Sequence, residues 1–163
     1  MVRLLISDTN IFIDLIEGNI LHLLFRLSYQ VGVPDILYFE ELAGQHSNLI
    51  DLGLTTLTLE SESMVYAHTL TRNYQRASRN DCFALALAKQ ENAPLITGDK
   101  ELRKAAEKEQ VKCKGTIWVV EKMLIQQLIS VDDACSAFKR MKKQQRRLPW
   151  EQVEKMLSKN KRT

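Results

Sequence analysis

The stretch Val2-Arg3-Leu4-Leu5-Ile6-Ser7-Asp8-Thr9-Asn10-Ile11-Phe12-Ile13-Asp14-Leu15-Ile16-Glu17-Gly18 contains a strand, a turn and a helix in immediate succession. Val2 to Ser7 is a short β-favouring apolar run, and Ser7-Asp8-Thr9-Asn10 is a helix-start signal. Ile11, Phe12, Leu15 and Ile16 then recur at helical spacing until Gly18-Asn19 ends the pattern. The same alternation continues along the chain. Ile20 to Leu27 reads as a helix, Gln30 to Val33 as a strand closed by Pro34-Asp35, and Ile36 to Leu42 as a helix. Leu54 to Leu59 reads as a strand, Ser61 to Ala77 as a helix, and Asp81 to Glu91 as a helix whose run Phe83-Ala84-Leu85-Ala86-Leu87-Ala88 has almost no polar face. Pro94 to Thr97 is a brief strand, Leu102 to Gln110 an amphipathic helix, and Thr116 to Val120 the last expected strand. Parallel neighbours need helical crossovers, so strands and helices in this rhythm imply an α/β fold: a three-layer sandwich around a central, mostly parallel sheet.

After Val120 only helical patterns remain, at Glu121 to Ile129, at Val131 to Gln145 behind a Ser130-x-x-Asp133 cap, and at Trp150 to Ser158. No linker separates them from what precedes, so residues 1–163 are expected to form one domain, with a core of about residues 1–120 and a helical C-terminal extension, residues 121–163. Composition agrees. The 163 residues are 45% hydrophobic and 26% charged, with six Gly and three Pro, which excludes collagen-like and disordered chains. Uncharged runs such as Met123 to Val131 reach about half of the roughly 20 residues a membrane helix needs, so no membrane contact is expected. Asp8 and Asp14 follow Arg3 too soon for a secretory apolar region, and cytoplasm is the expected compartment. Cys82, Cys113 and Cys135 form neither a paired framework nor a zinc motif.

The charge is divided unevenly. From Lys139 onward ten Lys/Arg stand against two Glu, a net +8, whereas residues 1–138 carry 13 basic and 18 acidic residues, a net −5. An acidic body with a basic segment at residues 139–163 is a recurring footprint of nucleic-acid contact, and Lys142, Lys143, Arg146 and Arg147 are the candidate contacts.

Open parallel sheets bind ligands at the carboxyl ends of their strands. Asp8 follows the first strand, Asp99 follows Leu95-Ile96-Thr97, Asp81 opens the Ala/Leu helix, and Glu41 lies early in the helix after the second strand. Four carboxylates in one place repel each other unless a cation joins them. With only oxygen ligands nearby, that cation would be Mg²⁺ or Mn²⁺ rather than Zn²⁺. Each Asp also has the plainer role of capping a helix.

At these residues the chain resembles a known family, the PIN domain. Leu4-Leu5-Ile6-Ser7-Asp8-Thr9-Asn10-Ile11-Phe12-Ile13-Asp14-Leu15 is similar to its opening strand and D-T-N turn. Arg79-Asn80-Asp81-Cys82-Phe83-Ala84-Leu85-Ala86-Leu87-Ala88, followed by Pro94-Leu95-Ile96-Thr97-Gly98-Asp99, is similar to its third acid, its Ala/Leu helix and its T-x-D turn. With Glu41-Leu42 the resemblance spans about residues 1–120. It implies a metal-dependent nuclease in which Asp8, Glu41, Asp81 and Asp99 are the catalytic, metal-binding acids and Asn10 and Thr97 support them. Glu40 adjoins Glu41, and Glu41 is preferred because the family's acid is usually followed by an aliphatic residue, here Leu42. The resemblance further implies hydrolysis of single-stranded RNA, a toxin of a toxin–antitoxin pair with an antitoxin protein as partner, and a homodimer, which the apolar surface between Ile20 and Leu42 also suggests. The competing readings are a non-catalytic PIN-like module that binds RNA or protein, and a Rossmann-like phosphatase using Asp8. The phosphatase reading lacks the usual second Asp, because Asn10 stands there.

Overall fold

The first strand, β1 (Arg3–Ser7), runs through the middle of a five-stranded sheet, with Leu5 and Ile6 buried among its neighbours. A computed structural model describes residues 3–161; Val2, at the head of the first expected strand, and residues 162 and 163 lie outside the described residues. The strand order is β3 (Thr55–Leu57), β2 (Tyr29–Pro34), β1, β4 (Leu95–Ile96), β5 (Cys113–Lys114), and every neighbour is parallel. Leu5 pairs with Val31, Ser7 with Ile96, and Ile96 with Lys114. The ends of β1 and β4 therefore lie side by side, and the Asp8 N–H continues the ladder onto the Ile96 carbonyl at 3.1 Å.

Helices make every crossover. They are α1 (Thr9–Glu17), α2 (Leu21–Leu24), α3 (Asp35–Leu37), α4 (Asn48–Leu52), α5 (Ser61–Asn73), α6 (Arg79–Glu91) and α7 (Lys100–Lys108), with a π-helical turn at Tyr38–Leu42 directly after α3. The expected absence of a polar face on α6 is realised as complete enclosure: Cys82 to Ala88 are all buried, against α5 and the central strands. Three helices close the chain, α8 (Thr116–Ile125), α9 (Val131–Lys143) and α10 (Trp150–Lys161). Ala134, Ala137, Phe138 and Met141 form the buried face of α9, which packs on α1, and α10 packs on α8 and α9. Gly18 permits the close approach of α1 and α9, since a Cβ there would stand 2.6 Å from the Met141 Cε. The Gly18 carbonyl accepts two hydrogen bonds from Arg140, from Nε at 3.1 Å and Nη2 at 2.8 Å. Among the described residues no helix is long and apolar enough to cross a membrane.

Four expectations need correction. Thr116 to Val120 is not a strand but the start of α8, and the fifth strand is Cys113–Lys114. The run is rich in β-branched residues, yet helical spacing places Val119, Val120 and Met123 on one buried face, and packing outweighs a strand preference worth at most about 1 kcal/mol. The helix expected from Asp81 begins at Arg79, with Ser78 as its N-cap. The helix expected over Ile36 to Leu42 is one α-helical turn followed by the π turn. The apolar surplus between Ile20 and Leu42 is absorbed by the chain's own core: Ile20, Leu23, Leu24, Leu27, Val31, Val33, Leu37 and Leu42 are all buried, and Phe39, 72% exposed, is the large apolar side chain left outside. That surface therefore gives no argument for a dimer.

Candidate active site

Asp8 is the first residue past β1 and is 0% exposed. It caps α1, its Oδ1 accepting the Ile11 N–H at 3.2 Å, and its Oδ2 accepts a short hydrogen bond from the Thr97 hydroxyl. Thr97 occupies the equivalent place past β4, and its own oxygen accepts the Asp99 N–H at 3.0 Å. Asp99 in turn caps α7, with Oδ1 accepting from the Glu101 N–H at 2.9 Å and the Leu102 N–H at 3.4 Å. Thr97 thus joins the two strand-end acids. The capping roles are real, and each leaves carboxylate capacity for a ligand, because an ionised Asp accepts about four hydrogen bonds.

Asp81 is aimed by a capping box. The Ser78 hydroxyl accepts the Asp81 N–H at 3.0 Å, and the Asp81 Oδ2 accepts the Ser78 N–H at 3.4 Å. Asp81 is therefore the third residue of α6 rather than its cap. The π turn carries Glu40 and Glu41. Its wide bonding, Ala43 N–H to the Tyr38 carbonyl at 2.8 Å, is a rare form that is frequent at functional sites. Glu40 is engaged by Arg79 at 3.4 Å and by the Asn80 amide at 3.0 Å, whereas Glu41 is exposed and contributes its charge to the field at Asp81.

The acids also feel one another's charge. Burial pushes Asp8 up to about 7, despite the bonds from Thr97 and Ile11, and the charges of Asp81 and Asp99 add to the rise. Burial also pushes Asp81 up to about 6, with Asp99 and Glu41 contributing. Asp8, Asp81 and Asp99 thus act on one another, and Glu41 acts on Asp81. Among the described residues no three acidic, His or Cys side chains stand in ready ligating geometry. The donor chemistry nonetheless fits a hard divalent cation. The cluster is all oxygen, its charges are mutually repelling, and the buried Thr9 Oγ1 and Asn80 Oδ1, sequence neighbours of Asp8 and Asp81, have no hydrogen-bond partner among the described residues.

Of the supporting residues, Thr97 is buried in the cluster and Asn10 is exposed at its edge. The Asn10 carbonyl accepts from the Arg146 Nη2 at 3.4 Å. Arg146, a candidate nucleic-acid contact by sequence, is committed within the chain: its Nε donates to Asp14 Oδ1 at 2.6 Å, and the Thr116 hydroxyl donates to Asp14 Oδ2 at 2.7 Å. Asp14 is buried and was given no role by the sequence reading. Its position between Phe12 and Leu15 on the apolar face of α1 was the signal, since a charge on such a face demands a partner. Lys142 lies 5.5 Å from the centre of the Trp150 ring, while Lys143 and Arg147 are exposed. A cavity of about 570 Å³ opens at this place, lined by Asn10, Asp14, Gly98, Asp99, Arg146 and Arg147 among others.

The family model of the PIN domain matches residues 4–162, which includes the C-terminal helices. The chain belongs to the PIN domain family. No curated protein matches it beyond that. PIN domains are in general nucleases and typically use divalent metal ions, so this PIN domain has a nuclease-like fold, with Asp8 and Asp99 at the carboxyl ends of β1 and β4 and Asp81 in the first turn of α6.

Proposed function

We propose that this PIN domain is a Mg²⁺- or Mn²⁺-dependent endoribonuclease that hydrolyses phosphodiester bonds in single-stranded RNA. The observation that carries the reading is Thr97, which joins Asp8 and Asp99 at the ends of two neighbouring strands, and the charge of Asp81 adds to the field at Asp8. Asp8, Asp81, Asp99 and Glu41 would hold the ion, which supplies a polarised phosphoryl oxygen and an activated water when bound. The chain's own part is positional. Thr97 and the Ile11 amide fix both oxygens of Asp8, the start of α7 fixes Asp99, and Ser78 fixes Asp81. Because Asp8 holds a proton up to about pH 7 and Asp81 up to about 6 when no ion is present, ion binding releases protons and strengthens as pH rises.

Toxin action, an antitoxin partner and a homodimer are proposed on family membership, and a cytoplasmic location on three free cysteines that form no disulfide framework. The test is cleavage of an end-labelled single-stranded RNA by purified protein with Mg²⁺ or Mn²⁺, run beside a phosphomonoester assay. Internal cuts that cease with excess EDTA support the reading. RNA bound but uncut identifies a non-catalytic module, and phosphomonoester release identifies a phosphatase.

A further inference from the structure

A second cavity, again of about 570 Å³, adjoins the acids between the start of α7, the turn from β5 to α8 and the loop after α9. It shares Asp14, Gly98, Lys100 and Arg147 with the hollow that contains Asp99, so the two adjoin along these residues. Its volume lies within the range of small-molecule sites. Its lining includes the cations Lys100, Arg103, Lys114 and Arg147 and an apolar wall with Ile117, Trp118 and Leu148. Among the described residues none of the four cations forms an ion pair, while the cavity's two acids already have partners. Asp14 is paired with Arg146, and Glu121 with Lys159 and Asn160.

One cation is held in place by the backbone. The Arg103 Nη2 donates to the Thr97 carbonyl at 3.1 Å, and a Cβ at Gly115 would stand 2.8 Å from that nitrogen, so the guanidinium keeps its course because residue 115 has no side chain. Trp118 is half-buried and braced by Tyr29, with ring centres 5.6 Å apart. Unpaired cations beside a braced aromatic wall suit a phosphate joined to a base: guanidinium groups take phosphate oxygens, and every base has a face to lay on an aromatic or apolar surface.

We propose that this cavity is a nucleotide subsite, holding one nucleotide of the single-stranded RNA adjacent to the bond that the acids cleave. Its phosphate lies toward Lys100, Arg103 and Arg147 and its base against Trp118 and Leu148. The inference rests on the nuclease reading above. An acidic peptide fits less well, because the adjoining hollow contains Asp99, which would repel such a chain.

The chain has two tryptophans, and Trp150 does not line the cavity, so Trp150→Phe leaves Trp118 as the sole reporter. A 5′-nucleoside monophosphate and a short single-stranded oligoribonucleotide are titrated against this variant in EDTA, which removes any contribution from ions at the acids. Saturable quenching of Trp118 is expected, and adding Lys100→Gln with Arg147→Gln, both at exposed positions, should raise Kd at least tenfold for each ligand. If Trp150→Phe does not fold, the wild type and Trp118→Phe serve instead, with quenching expected only in the wild type. A silent Trp118, or a Kd unmoved by the double change, overturns the subsite, as does a double variant that loses affinity for poly-glutamate but not for nucleotide. Cleavage by the wild type with Mn²⁺ is scored separately. Quenching without cleavage defeats the nuclease reading and leaves the subsite, and cleavage with a silent Trp118 does the reverse.

Discussion

Asp8 sits in the core with a hydroxyl and an amide for company, and among the described residues it forms no ion pair. An acid so placed costs the fold stability once it is ionised. Its folded-state value is raised from the ordinary 3.8 to about 7, so the stability it contributes as a neutral acid is complete below about pH 4 and is lost as pH rises through about 7. The whole difference corresponds to on the order of 4 kcal/mol. Metal-free protein should therefore be more stable to denaturant at pH 5 than at pH 8, and Asp8→Asn should remove most of that slope. A slope unchanged by the substitution would contradict the burial argument. Asp81→Asn tests the chemistry instead. The amide oxygen can still accept from the Ser78 N–H, and one of several repelling charges is gone, so the melting temperature should hold or rise while RNA cleavage falls below detection; wild-type turnover would remove Asp81 from the catalytic set. Arg146 has a different task from the one its charge suggested. Arg146→Gln strands Asp14 in the interior and should destabilise by about 3 kcal/mol, with recovery when Asp14→Asn is added, a coupling that a double-mutant cycle reads directly. The three aspartates were legible because each follows a strand or opens a helix. The partner of Asp14 was not, because it lies 132 residues away in the chain.

At the scale of elements, α6 shows how a sequence places an acid. Its Ala/Leu run buries Cys82 to Ala88, which leaves the first and last turns at the surface, and the capping box with Ser78 fixes Asp81 in the first turn. Ser78→Ala should lower stability by about 1 kcal/mol, the usual worth of a cap, and also reduce the cleavage rate because Asp81 loses its fixed orientation. A stability loss with an unchanged rate would show that the helix alone is enough to aim the acid. Local patterns were sufficient to place β1, β2, β4 and α6, whose apolar periods are strong. They failed at Thr116 to Val120, where β-branched residues serve a helix face chosen by the neighbours it covers. They failed too at Tyr38–Leu42, since a π turn has the same composition as an α turn and differs by one residue in its bonding. The consequence is functional: the turn carries both Glu40, which Arg79 and Asn80 engage, and Glu41, whose charge reaches Asp81.

For the whole molecule, the opposition of a −5 body and a +8 tail looked like one basic surface, and the structure divides it. Arg140 is bound to the Gly18 carbonyl, Arg146 to Asp14, and Lys142 lies near the Trp150 ring; these side chains fasten α9 and the following loop to the body. Lys139 and Lys143 stay exposed on α9 and form no ion pair among the described residues. Among the described residues the second group, like Arg147, can meet phosphates without first giving up an ion-pair partner. Each phosphate of a single strand that a cation neutralises steepens the dependence of log affinity on log salt by roughly 0.7. Lys139→Gln with Lys143→Gln should therefore flatten that slope by up to about 1.4 for single-stranded RNA, nearly equally across sequences, since a phosphate contact carries no base information. Arg140→Gln should act instead through stability, lowering the melting temperature while the slope at a temperature where the protein is folded stays as it was. Fluorescence anisotropy over a range of KCl concentrations measures both. A slope unmoved by the two lysines and flattened by Arg140→Gln would reverse the division between anchors and phosphate contacts, and would place the RNA across the junction of α1 and α9.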